Sequence, residues 1–87
     1  ILRKNLVDFL PIGKDIEIIE IEVSDRMVGK TIVDMDLRRR YSLNVIAIHH
    51  EEQIETDVRP DCRLCHGDTI TVIGKEENVT RFADDYS

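Results

Sequence analysis

GKTIVDMDLRRRYSLNVIAI, running from Gly29 to Ile48, decides the fold. Val28, Ile32 and Met35 stand at i, i+4 and i+7, one face of a helix, with Val33 and Leu37 as a second i, i+4 pair beside it. Asp36 is expected to cap a new helical turn, because its side-chain oxygen can accept an orphan backbone N–H. Arg38-Arg39-Arg40 gives that turn a basic end, favourable where a helix exposes its last carbonyls. Ser42 breaks the run. Leu43 to Ile48 is rich in β-branched residues and nearly uninterrupted, the pattern of a strand covered on both faces.

Upstream, Ile19, Ile21 and Val23 alternate with Glu20 and Glu22, so Asp15 to Val23 is a strand with one wet face. Ile16 and Ile18 have the other parity, which predicts a bulge or twist near Ile18–Ile19. Residues 1–14 read as a linker from a preceding domain. Leu2, Leu6, Phe9 and Leu10 have helical spacing there, and Pro11 and Gly13 end the run. An Ile start without Met fits a piece of a longer chain.

Downstream, His49-His50-Glu51-Glu52 is a polar hairpin turn, and Gln53 to Val58 is the return strand. Arg59 to Gly67 is a loop anchored by Leu64, its one large aliphatic residue. Thr69 to Ile73 is the last strand, closed by Gly74. A helix starts near Lys75 or Glu76 and carries Val79, Phe82, Ala83 and Tyr86 at i, i+3, i+4 and i+7. The fold class is α+β. Residues 15–87 form a small β-α-β-β-β-α domain with two helices on a mixed, mostly antiparallel sheet.

The 87 residues suffice for one domain, with 41% hydrophobic content and a formal charge of −6. That charge disfavours phosphate-driven nucleic-acid binding, and Arg38–Arg40 alone does not reverse it. No apolar run approaches the roughly 20 residues that cross a bilayer, and residues 1–10 lack the apolar centre of a signal peptide.

Cys62-Arg63-Leu64-Cys65-His66 matches the CxxCH pattern of haem attachment, with Met27 or Met35 available as a second axial ligand. The same stretch fits a redox pair, but it lies in a loop instead of opening a helix. Cys62, Cys65, His66 and one of His49 or His50 could hold zinc if their loops met. The plainer reading is loop cysteines flanking a core leucine. No Ser/His/Asp or Cys/His set has spacing that suggests nucleophilic catalysis, and no glycine-rich phosphate loop is present, so nothing in the chain argues for an enzyme.

Several of these landmarks occur together in one known family. They are Gly29-Lys30-Thr31-Ile32, Leu37-Arg38-Arg39-Arg40-Tyr41, Asn44 to Ile48, Pro60, Leu64, Gly67-Asp68 and Val72-Ile73-Gly74. In this order and spacing the chain resembles the C-terminal domain of regulators of potassium conductance, TrkA-C. The resemblance implies a homodimer on the cytoplasmic side of a potassium channel or transporter, partnered with a membrane subunit and not with nucleic acid. It also implies, for a subset of the family, cyclic di-AMP bound between two copies. By position the ligand-binding residues are Ile32, Val33, Asp36, Arg38, Asn44 and Pro60, with Asn44 standing where the family usually has His. No cofactor or metal is expected. The alternatives within the family are a domain that only dimerises, or one that senses a metal through Glu51, Glu52, Asp57 and Asp61. Outside it, the alternative is a haem or thiol redox protein.

Overall fold

The structure is a computed structural model that describes residues 6–86. Its elements are β1 (Leu6–Pro11), β2 (Ile16–Glu22), α1 (Ile32–Met35), α2 (Leu37–Tyr41), β3 (Asn44–His50), β4 (Gln53–Glu55), β5 (Thr69–Lys75) and α3 (Glu76–Asp85). One five-stranded sheet has the order β1-β2-β5-β3-β4. Every pairing in it is antiparallel. The α+β reading holds, with a strand added ahead of the expected order.

That added strand corrects the reading of the connector. Leu6–Pro11 pairs with β2 as an edge strand instead of continuing a helix. Val7, Phe9 and Leu10 all stay more than half exposed, so the apolar spacing there reflects no core-facing helix. Leu2 lies outside the described residues.

β2 pairs with β5 in unbroken register from Ile16↔Lys75 to Glu22↔Thr69, so no bulge occurs at Ile18–Ile19. The two parities arise because Ile19 and Ile21 enter the core while Ile16 and Ile18 occupy the other face, half-buried. The irregularities fall instead in β1, between Leu6 and Asp8, and in β3, between Val45 and Ala47. This second shift leaves Ile46 39% exposed, so β3 is not covered on both faces. β4 stops at Glu55, three residues before the expected end.

The core joins one sheet face to the helices: Ile19, Ile21, Ile70 and Val72 meet Met35, Leu37, Tyr41, Val79 and Phe82. The α3 stripe is buried as expected. Phe82 sits between Tyr41, at 5.6 Å, and Tyr86, at 5.3 Å, in tilted ring contacts. Burial pushes the Tyr41 hydroxyl up to about 12, helped by its 2.6 Å hydrogen bond to the Asp85 carboxylate. Gly74 admits the Leu43 side chain against its backbone, where a Cβ would collide with it.

Candidate functional site

The helical stretch is two short helices. Thr31 starts α1 with a reciprocal cap: the Asp34 N–H donates to Thr31 Oγ1 at 3.1 Å, and the Thr31 N–H donates to Asp34 Oδ2 at 3.0 Å. These hydrogen bonds lower the Asp34 carboxyl below its ordinary value. Five residues after Thr31, Asp36 enters the left-handed region at φ 47° and ends α1. The expected side-chain cap at Asp36 does not form. Its backbone does the work instead: its N–H donates to the Ile32 and Val33 carbonyls, and its carbonyl accepts from the Arg40 N–H at 2.9 Å. The carboxylate is left over, 3.8 Å from Arg39. Ser42, also left-handed at φ 55°, ends α2.

Helix α1 is too short to be stable by itself. The loop before β5 holds it. The Ile32 N–H donates to the Cys62 carbonyl at 3.1 Å and the Val33 N–H to the Pro60 carbonyl at 2.9 Å. Leu64 exchanges backbone hydrogen bonds with Lys30 and Gly29, both at 2.9 Å, and its side chain is buried as expected. Gly29 can take φ 84° in the preceding turn because it has no Cβ.

This support separates two kinds of apolar residue. Met35 and Leu37 turn inward to the core. The expected face through Val28, Ile32 and Met35 is not uniformly buried, since Ile32 is only half-buried and Val28 lies exposed before the helix starts. In the second pair Leu37 is buried while Val33 is 60% exposed. Ile32, Val33, Asp36, Arg38, Asn44 and Pro60 all line one cleft of about 330 Å³. Leu37, Leu43, Val45 and Val58 complete its wall. Their part was hidden in the sequence because their core roles explain them equally well.

The three arginines have different fates. Arg40 lies 5.3 Å over the Tyr41 ring and donates to the Tyr86 hydroxyl. Arg39 is the one near Asp36. Arg38 is exposed, and among the described residues no side chain pairs with it. An unengaged guanidinium beside exposed aliphatic surface, a carboxylate and a carboxamide can take a phosphate, stack on a planar base and hydrogen-bond its edge.

The other candidate sets do not assemble. Among the described residues no three His, Cys, Asp or Glu side chains stand together as a metal site. Cys62 and Cys65 are free thiols, the first half-buried and the second exposed. Next to the hairpin turn, His50 makes a hydrogen bond with Asp68, just before β5, that sequence spacing did not reveal. His50 Nδ1 lies 2.5 Å from Oδ1 of the buried Asp68, which raises the imidazole above its ordinary value of 6.5. The Cys65 N–H donates to the other Asp68 oxygen at 3.0 Å. Among the described residues no helix is long and apolar enough to cross a membrane.

Comparison with known proteins adds an independent line. The TrkA-C domain family model matches residues 16–85. The Ktr system potassium uptake protein C of Bacillus subtilis (strain 168) is 27% identical over 82 residues, which are 94% of this chain and 37% of that protein. The chain thus spans little more than a third of the curated relatives it matches. Among solved structures, the RCK C domain of the potassium transport protein KtrA, in complex with cyclic diadenosine monophosphate, has 31% identity and a TM-score of 0.76. That likeness covers 78% of this chain and 80% of the KtrA domain. The RCK_C domain dimer of S. agalactiae BusR, also in complex with c-di-AMP, is 26% identical with a TM-score of 0.69, covering 77% and 91%. BusR has also been solved with its busAB promoter DNA, where this chain covers 33% of the BusR chain. A family match over most of the chain, agreeing with the five-stranded fold, makes this chain a member of the TrkA-C domain family.

Proposed function

We propose that this domain is a regulatory sensor of potassium transport that binds cyclic di-AMP between two copies of itself. The observation that carries the reading is the convergence of Ile32, Val33, Asp36, Arg38, Asn44 and Pro60 on one cleft, with Arg38 unengaged among the described residues. A cleft of about 330 Å³ is at the small end for a ligand site, as suits half of a two-fold site. In the dimer each residue acts twice on a ligand with two adenines and two phosphates. Ile32 and Val33 pack on adenine, Asp36 accepts from an exocyclic amine, and Arg38 pairs with phosphate. Asn44 offers both a donor and an acceptor where the family pattern has His. The KtrA and BusR complexes support the ligand, since their RCK C domains share this fold. The membrane partner is a potassium channel or transporter subunit, with the domain on its cytoplasmic side. The formal charge of −6 argues against this segment being a DNA-contacting surface.

Calorimetric titration tests the reading. Cyclic di-AMP should bind at one ligand per two chains, with other nucleotides as controls. A charge-assisted contact contributes about 1.5–3 kcal/mol and is made twice, so Arg38→Ala should weaken binding at least about a hundredfold while the fold and dimer persist. No binding to the wild type at high micromolar ligand, or unchanged affinity in Arg38→Ala, would overturn it.

A further inference from the structure

The Cys62-Arg63-Leu64-Cys65 stretch has no role in ligand contact, yet it supports the cleft. Thr31 and Arg63 form an antiparallel bridge, Leu64 pairs with Gly29 and Lys30, and the Cys62 carbonyl holds the Ile32 N–H. The Arg63 guanidinium also donates to the Gly29 carbonyl. The stretch is therefore extended, and its burial alternates: Cys62 half-buried, Arg63 exposed, Leu64 buried, Cys65 exposed. An extended chain rises about 3.3 Å per residue, so residues three apart lie about 10 Å apart along the backbone. A disulfide spans a Cα separation of only about 4.4–6.8 Å. A Cys62–Cys65 disulfide and the paired loop are thus mutually exclusive. Both cysteines nevertheless line one cleft of about 560 Å³, open to a small molecule.

We propose that Cys62 and Cys65 form a thiol–disulfide modification site that takes a low-molecular-weight disulfide as oxidant and, when oxidised, releases α1 from its loop. The effect on ligand affinity rests on the cleft reading above; the chemistry does not. The exposed Cys65, as thiolate, attacks one sulfur of the small disulfide. A mixed disulfide forms and one small thiolate leaves. Cys62 is held back while the loop is paired, since burial and the negative charges of Asp61, Asp68 and Glu55 push its thiol up. When the loop opens, the Cys62 thiolate attacks the Cys65 sulfur and expels the second small thiolate. Two protein thiols are oxidised, the small disulfide is reduced to two thiols, and the two protein protons pass to the leaving thiolates. Turning residues 62–65 to close the ring breaks the Leu64 pairing and withdraws the Cys62 carbonyl from Ile32. Ile32, Val33 and Asp36 then lose their fixed position.

The test treats the 87-residue chain with oxidised glutathione and reads intact mass, amide exchange and cyclic di-AMP affinity. The expected product is lighter by two hydrogens. Its Gly29, Ile32 and Leu64 amides should exchange at least about tenfold faster, and its affinity should fall by at least about tenfold. Dithiothreitol should reverse all three changes. The Cys62→Ser/Cys65→Ser double variant should ignore the oxidant and bind like the reduced wild type. Stable glutathione adducts alone, disulfides only between chains, or an internal disulfide with unchanged amide exchange would each overturn the proposal. If the reduced wild type does not bind cyclic di-AMP, the cleft reading fails, while mass and exchange still decide the thiol site.

Discussion

Helices α3 and α1 both carry apolar residues at helical spacing, and they reach opposite ends. On α3, Val79 and Phe82 are fully buried, and Tyr86, just past its end, is 8% exposed. On α1, Met35 is fully buried while Val33 remains 60% exposed. Full burial of a valine side chain is worth about 1.5–3 kcal/mol. The fold forgoes much of that at Val33, because backbone hydrogen bonds to Pro60 and Cys62 fix where α1 sits. One helix is held by packing and uses its apolar face for the core. The other is held by backbone pairing and a cap, and keeps apolar surface in reserve. These exposed aliphatic groups, beside an arginine without a side-chain partner among the described residues, are the surface on which the proposed ligand site rests.

Mutation of α3 is the most severe way to break this contrast. Phe82→Ala removes the ring between Tyr41 and Tyr86 and should cost about 3–5 kcal/mol in urea unfolding, a large share of the stability of a small domain. A loss under about 1 kcal/mol would mean that α3 does not organise the core.

Leu64 links the two regions, being a core residue on the supporting loop. Leu64→Ala should cost about 2–5 kcal/mol in the same assay and also speed amide exchange at Ile32 and Val33. Destabilisation without faster exchange there would separate the loop from α1. Thr31→Ala acts on α1 alone. It removes half of the reciprocal cap and should cost about 1 kcal/mol, with cyclic di-AMP binding weakened while α3 amides stay protected.

The smallest effect concerns His50, next to the hairpin turn. Its imidazole binds a proton more tightly when folded than when unfolded, because Asp68 accepts its hydrogen bond. The stabilisation is therefore complete below about 6.5 and disappears as pH rises through the raised folded value. Unfolding midpoints measured from pH 5 to 9 should fall across that window in wild type, and His50→Gln should flatten the slope. A slope of the opposite sign would remove the Asp68 contact from the account.

How much of this was legible follows from the range of each interaction. The α3 stripe, the buried Leu64 and the break at Ser42 are local patterns with one physical outcome, and they read correctly. The hairpin expected over His49–Glu52 forms, but its turn is only Glu51–Glu52, since His49 and His50 pair with Ile54 and Gln53 as the end of β3. The β1 strand was misread because its leucines and phenylalanine suit a helix as well as an edge strand, and only pairing with Ile18 and Ile19 selects the strand. Asp36 was expected to cap through its carboxylate. The left-handed backbone serves instead, which frees that carboxylate for the cleft.

By itself the sequence determined the α+β class, the apolar face of α3, the family resemblance and the types of residue that could meet a nucleotide. The first two follow from periodicity within a short window; the resemblance rests on the order of its landmark residues, and the residue types that could meet a nucleotide are what the resemblance implies. Tertiary structure alone decided that Val33 stays exposed while Met35 is buried, that Arg38 has no side-chain partner among the described residues while Arg39 lies near Asp36 and Arg40 over Tyr41, and that Pro60 lies beside Ile32 and Val33. Each of these depends on groups far apart in the chain, above all the backbone pairing between residues 29–33 and 60–64. Backbone N–H and C=O groups are the same at every non-proline position, so the side-chain sequence does not say which of them will meet.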